Sequence, residues 1–170
     1  MDFLDLARRR YSVRNYSDRP VEEDKLQKIL EAGRLAPTAV NFQPQKIFVL
    51  KSKEAMDKLR SVTRMAYNAP MAMLICYDKN ISWKAHRFGD DYDAGPMDAD
   101  IVTTMMMLQA TELGLGTLWV RGYRTQDIID AFPMPENIVP VCILLLGYPT
   151  DEKPSNRTYR KELIDTVLLL

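Results

Sequence analysis

Two cysteines and one histidine are all the soft-ligand chemistry this 170-residue chain carries. With His86 alone and no C-x-x-C pair, a closed zinc site cannot be assembled from nitrogen and sulfur ligands. Two cysteines make no disulfide framework. Cys76 and Cys142 each sit in an apolar strand-like stretch and read as small buried hydrophobes. Net charge is missing too: 23 basic and 23 acidic residues cancel, which leaves no whole-molecule footprint for nucleic acid or an anionic membrane. A ligand must be held by local charge. Apolar runs such as Val141–Leu146 fall far below the roughly eighteen residues a bilayer span needs. No charged segment followed by an apolar one opens the chain, so a cytoplasmic protein is expected. The tripeptides Asn80-Ile81-Ser82 and Asn156-Arg157-Thr158 then carry no glycosylation message.

Repeats and Gly/Ser/Pro-rich linkers are also absent, and residues 1–170 read as one continuous domain. At 46% apolar and 27% charged, the chain is neither disordered nor collagen-like. Its length allows folding to bury roughly 70% of the unfolded surface. The periodicity predicts helices over Asp2–Arg9, Glu22–Ala36, Glu54–Thr63, Asp98–Leu113 and Thr125–Phe132. Strands are predicted over Lys46–Leu50, Met71–Tyr77, Gly116–Val120 and Val139–Leu146. Helices and strands mix without strict alternation, which argues for α+β over a doubly wound sheet. The helix from Asp98 is apolar around nearly its whole circumference. Such a helix is either central and wrapped on all sides, or has one side buried by a second subunit.

Arg8-Arg9-Arg10-Tyr11-Ser12-Val13-Arg14 holds four arginines in seven residues. Asp5 stands three and four residues before Arg8 and Arg9, the spacing of solvated ion pairs. Arg10 instead continues the apolar face of Phe3, Leu6 and Ala7, so its guanidinium is aimed inward and needs an anion. Ser12 and Arg14 follow at alternate positions. Two arginines and a hydroxyl suit a phosphate or the anionic edge of a ring; an internal salt bridge and a solvated charge run are the plainer reading. Arg157, Arg160 and Lys161 form a second basic group near the other end. Between them, residues 36–45 form a proline-stiffened loop. Its Asn41 and Gln43 amides suit a heterocycle with alternating donors and acceptors, or else satisfy turn backbone.

Other patterns fail. Gly114-Leu115-Gly116 follows a helix and precedes a strand, the reverse of a dinucleotide fingerprint, and Trp119 occupies its third glycine position. No G-K-[ST] exists for a phosphate loop. Residues 89–95 lack the glycine placement and the distal carboxylate of a calcium loop. His86 has no nucleophile beside it in the local sequence.

Taken in order, these pieces resemble the FMN-dependent nitroreductase family. Arg10-Tyr11-Ser12-Val13-Arg14 looks like its R-x-S-x-R/K signature, and residues 36–44 (APTAVNFQP) look like its A-P-S/T-x-x-N-x-Q-P loop. Gly114 through Gly122 resembles the exit of its central helix and the next strand. Leu146-Gly147-Tyr148-Pro149, then Arg160-Lys161, match its closing G-Y-P and basic tail. The resemblance spans essentially the whole chain. It implies an α+β fold with a mixed sheet flanked by helices around a long buried central helix. It also implies a homodimer with FMN at the interface, taking hydride from NADH or NADPH and reducing a nitroaromatic, quinone or similar acceptor by a ping-pong mechanism. Carried over by position, Arg10, Tyr11 and Ser12 would lie on the phosphate and ribityl side, with Arg160 and Lys161 closing on the phosphate. Arg14 would approach the pyrimidine edge. Pro37, Thr38, Ala39 and Asn41 would flank the ring, from this subunit or its neighbour, and Trp119, Val120, Arg121 and Gly122 would pass near its reactive face. Tyr11, Met105 and Arg121 depart from residues frequent in the family. Residues 79–97, with Trp83, His86, Phe88 and Tyr92, either cover the substrate or form a surface loop with aromatics tucked into the core. An FMN-binding protein without turnover, a dehalogenase or a flavin-destroying enzyme on the same fold are the alternatives.

Overall fold

The structure is a computed structural model and describes residues 2–150 and 159–170. Its centre is a four-stranded sheet of order β1-β2-β4-β3, from β1 (Gln45–Leu50), β2 (Met71–Asp78), β3 (Gly116–Val120) and β4 (Ile138–Gly147). These strands pair antiparallel throughout; a parallel component enters through the single bridge Ser12↔Thr117. Seven consecutive residues of β2, Met71–Tyr77, are buried, so both faces of the sheet must be covered. Alternate side chains sort onto those faces. Met73, Ile75, Cys142 and Leu144 pack with Leu26, Ile29, Val102 and Met106 of α2 (Glu23–Arg34) and α4 (Gly95–Glu112). Leu74, Cys76, Ile143 and Leu145 pack with Met56, Leu59 and Ile128 of α3 (Lys53–Val62) and α5 (Thr125–Ala131). The two cysteines therefore belong to opposite layers. Both are free and buried, and burial pushes each thiol up to about 12.

The α+β class and the elements expected from the sequence are present, with ends shifted by a few residues. The largest shift is at α4, which starts at Gly95 rather than Asp98 because Pro96 occupies its first turn, where a missing N–H costs nothing. Its burial is one-sided within the chain. Val102, Met106 and Ala110 are fully buried, while Met97 and Met105 are 46% and 37% exposed. Alpha-helix α1 (Phe3–Arg9) lies near that open side and has no fully buried residue; Phe3 and Leu4 are exposed. A cavity of about 290 Å³ between α1, α2 and α4 is lined by Phe3, Leu6, Ala32, Met105 and Leu108. The described residues thus do not wrap this helix on all sides. No helix among the described residues is long and apolar enough to cross a membrane.

Candidate functional site

After α1 the chain runs extended from Arg10 along the free edge of β3. Ser12 bridges Thr117, and the Val13 N–H donates to the Thr117 carbonyl at 2.9 Å. Gly116 permits this approach, since any side chain there would collide with Val13. Alternation then divides the arm. Val13 is in the core and Tyr11 packs against it, whereas Arg10, Ser12 and Arg14 are half-buried at the intervening positions. Arg14 Nη1 donates to the Ser12 carbonyl at 3.0 Å. Burial and the nearby charge of Arg160 both lower the pKa of Arg10. Among the described residues no carboxylate pairs with Arg10, Arg14 or Arg160. The two basic ends therefore lie within electrostatic reach of one another, with no counter-ion among the described residues. Lys161 is exposed, and Arg157 lies outside the described residues.

The connector between α3 and β2 joins this arm to the end of β3, a role that periodicity did not reveal. Thr63 Oγ1 donates to the Gly122 carbonyl at 2.8 Å, and Met65 fills the space that a side chain on Gly122 would need. Asn68 brackets the arm: Oδ1 accepts from the Tyr16 N–H at 3.0 Å and Nδ2 donates to the Tyr16 carbonyl at 2.7 Å. Between them Tyr67 sits at φ 46°, strained for an aromatic residue. The only sequence signal was Asn68 ahead of Pro70, an ordinary turn pair. At the strand end Trp119 is half-buried, Val120 is buried, and Arg121 and Gly122 are exposed. The Arg121 guanidinium lies 4.8 Å from the Tyr123 ring centroid.

Pro37, Thr38, Ala39 and Asn41 lie on a separate loop, tied to α4. Asp98, fully buried, accepts from the Ala39 N–H through Oδ1 at 2.8 Å, and burial raises its carboxyl pKa. Thr38 Oγ1 accepts from the Gln43 N–H at 3.0 Å. Val40, Asn41 and Gln43 all have positive φ, with Val40 at 49°. A β-branched residue there is a real outlier, held by the Asp98 and Thr38 bonds. The Gln43 side chain donates to the Asn41 carbonyl, the turn-satisfying role, and no described residue hydrogen-bonds the Asn41 side chain. Within residues 79–97, Lys84 binds Asp93 at 2.5 Å and Tyr77 donates to the same carboxylate at 3.1 Å. Phe88 and Tyr92 are 67% and 43% exposed, so these aromatics are not tucked into the core.

The nitroreductase family model matches residues 7–67 and 63–148, which include the arm, the Pro37 loop and the end of β3. The chain belongs to the nitroreductase family. It is 32% identical, over 92% of its length and 82% of the relative's, to a Methanothermobacter thermautotrophicus protein provisionally named an NADH dehydrogenase/NAD(P)H nitroreductase. A nitroreductase family protein from Clostridium difficile 630 has a similar solved structure, with a TM-score of 0.92, 43% identity and coverage of 99% and 98% of the two chains. An FMN-dependent nitroreductase from another strain of that species has a TM-score of 0.79 at 27% identity, covering 98% of both chains. In this nitroreductase-family chain the family match runs through both the cationic arm and the separate Pro37 loop.

Proposed function

We propose that the protein is an FMN-dependent oxidoreductase that takes reducing equivalents from NADH or NADPH and passes them to a nitroaromatic, quinone or related acceptor. The observation that carries this reading is the approach of half-buried Arg10 to Arg160 with no described counter-ion, in a family whose FMN-dependent member shares this fold. Two guanidiniums within electrostatic reach of one another favour an anion of more than one charge, and a phosphate monoester supplies that. Ser12, on the same alternation as Arg10, adds a hydroxyl. The residues present thus fit the phosphate end of FMN. Tyr11 steadies the arm through its packing on the core.

When bound, FMN supplies the two-electron chemistry at its ring. Arg14 is assigned to the pyrimidine edge, where a fixed cation favours negative charge. The chain at residues 119–122 borders the ring, its position set by the Thr63 bond to Gly122. Pro37, Thr38, Ala39 and Asn41 cover the ring from the neighbouring subunit of a homodimer; the one-sided burial of α4 and the exposed Phe3, Leu4 and Met105 support that assembly. Donor and acceptor use one place in turn, the ping-pong order.

The test is direct. Purified protein should be yellow, or become so with added FMN, and should bleach anaerobically with NADH or NADPH. Colourless protein that takes up no FMN overturns the reading, and yellow protein that neither nucleotide bleaches makes it a binding protein without turnover.

A further inference from the structure

A cavity of about 380 Å³ opens between the start of α4 and the ends of β3 and β4, lined by Tyr77, Pro96, Asp100, Trp119, Arg121 and residues 139–141. Two aromatic side chains belong to its wall. Tyr77 is held in place by its bond to Asp93, and its ring occupies the space beside the Cα of Gly95. Trp119 is half-buried. A planar ligand of one ring, or two fused rings, suits a space of this size and lining.

The polar groups narrow the choice. Asp100 is half-buried, and no described residue donates a hydrogen bond to its carboxylate. Burial raises its pKa and the charge of Arg121 opposes that shift, so the two groups lie within electrostatic reach while forming no ion pair. Arg121 spends its guanidinium on weak contacts, the face of Tyr123 and a 3.5 Å approach to Thr125 Oγ1. An anionic ligand would gain Arg121 and be repelled by Asp100; a cationic ligand meets the reverse. An uncharged amide edge satisfies both, because it presents an N–H donor and a carbonyl acceptor side by side.

We propose that this cavity selects the electron acceptor, taking planar molecules that carry an uncharged carboxamide or lactam edge, with the N–H donating to Asp100 and the carbonyl accepting from Arg121. The inference rests on the proposed function for the word acceptor, and on residues 119–122 bordering the cofactor ring, which places the cavity beside it. It reverses the simpler idea that Arg121 draws anionic substrates, since Asp100 shares the same space.

Steady-state reduction of 4-nitrobenzamide and 4-nitrobenzoate by the FMN-loaded protein tests it. The amide should be preferred in kcat/KM by about tenfold or more. Asp100→Asn should raise the benzoate relative to the amide by a similar factor, because the repelling charge is gone while Arg121 remains. Equal treatment of the two probes by wild type, or a ratio that Asp100→Asn does not move, overturns the proposal while leaving the oxidoreductase reading intact. If instead the protein takes up no FMN, tryptophan-fluorescence titration with the same probes still decides the pocket. Tighter binding of the amide than of the benzoate, reduced by Asp100→Asn, supports it; equal binding sinks it.

Discussion

Two cationic clusters flank the segment from Arg10 to Arg19, and they differ in one respect. At its far end, Arg19, Glu22 and Lys25 gather around Tyr148. The Tyr148 hydroxyl accepts from Lys25 and donates to Glu22, both at 2.6 Å; Arg19 donates to Glu22 at 2.6 Å and its guanidinium lies 4.0 Å from the ring centroid. Every charge there has a partner. The hydrogen bond from Tyr148, more than any other contact, draws the Glu22 carboxyl down to about 2. At the near end, burial and the nearby charge of Arg160 both disfavour the charge on Arg10. A saturated cluster stabilises the connection between α2 and the G-Y-P segment. A cluster with no counter-ion among the described residues is one that a bound anion would stabilise.

That contrast can be broken at its unsaturated end with the largest effect. Arg10→Ala should weaken FMN binding by about a hundredfold, because it removes a half-buried cation from the anion, and Arg160→Ala, at an exposed position, should weaken it less. Calorimetric titration checks both, and a parallel observation is that FMN raises the Tm of wild type more than that of Arg10→Ala. Unchanged affinity in Arg10→Ala would remove the arm from the site.

The saturated end should respond in stability instead. Tyr148→Phe deletes one acceptor and one donor, so the Glu22 carboxyl should return toward its ordinary 4.5 and Tm should fall by a few degrees. FMN affinity should change by no more than about twofold, as expected for an exposed network. The sign of the pH effect follows from a depressed acid. Glu22 binds its proton less readily folded than unfolded, so its contribution is present above pH 4.5 and is lost as pH falls toward about 2. Thermal melts across that range should show wild type losing more stability than Tyr148→Phe, and NMR titration of Glu22 gives the shift itself.

The smallest effect is expected at the Pro37 loop. Val40 holds a left-handed backbone conformation that disfavours a β-branched side chain by about 1 kcal/mol. Val40→Asn, which tolerates that region, should raise Tm slightly; a fall would mean that the exposed Val40 side chain is covered by a partner surface.

The fold was largely legible because its signals are local. The stripe of Leu26 and Ile29, the buried run Met71–Tyr77 and the Asp5 to Arg8 spacing each report on neighbouring residues, and the structure has α2, β2 and the 3.0 Å Arg8–Asp5 pair. The apolar repeat that aimed Arg10 inward does not extend to it: α1 ends at Arg9 and Arg10 is extended, half-buried, at a position that alternates with core-facing Tyr11 and Val13. The connector 63–68 was not legible, since Thr63 and Asn68 act through contacts with residues more than fifty positions away, at Gly122 and on the arm. Asp98 looked like a helix start and proved to be an anchor for the Pro37 loop, because Pro96 moved the helix start three residues earlier.

By itself the sequence determined the element types, the α+β class, the burial of both cysteines and the presence of two basic ends in a chain of zero net charge. Periodicity and composition are enough for these, as each depends on residues within a few positions of one another. Only the tertiary structure decided that the charge of Arg160 reaches Arg10, that Asp100 and Arg121 share one cavity, and which side of α4 is left open. Those facts depend on how antiparallel strands and two helical layers bring distant residues together, and no local pattern encodes distances across a sheet.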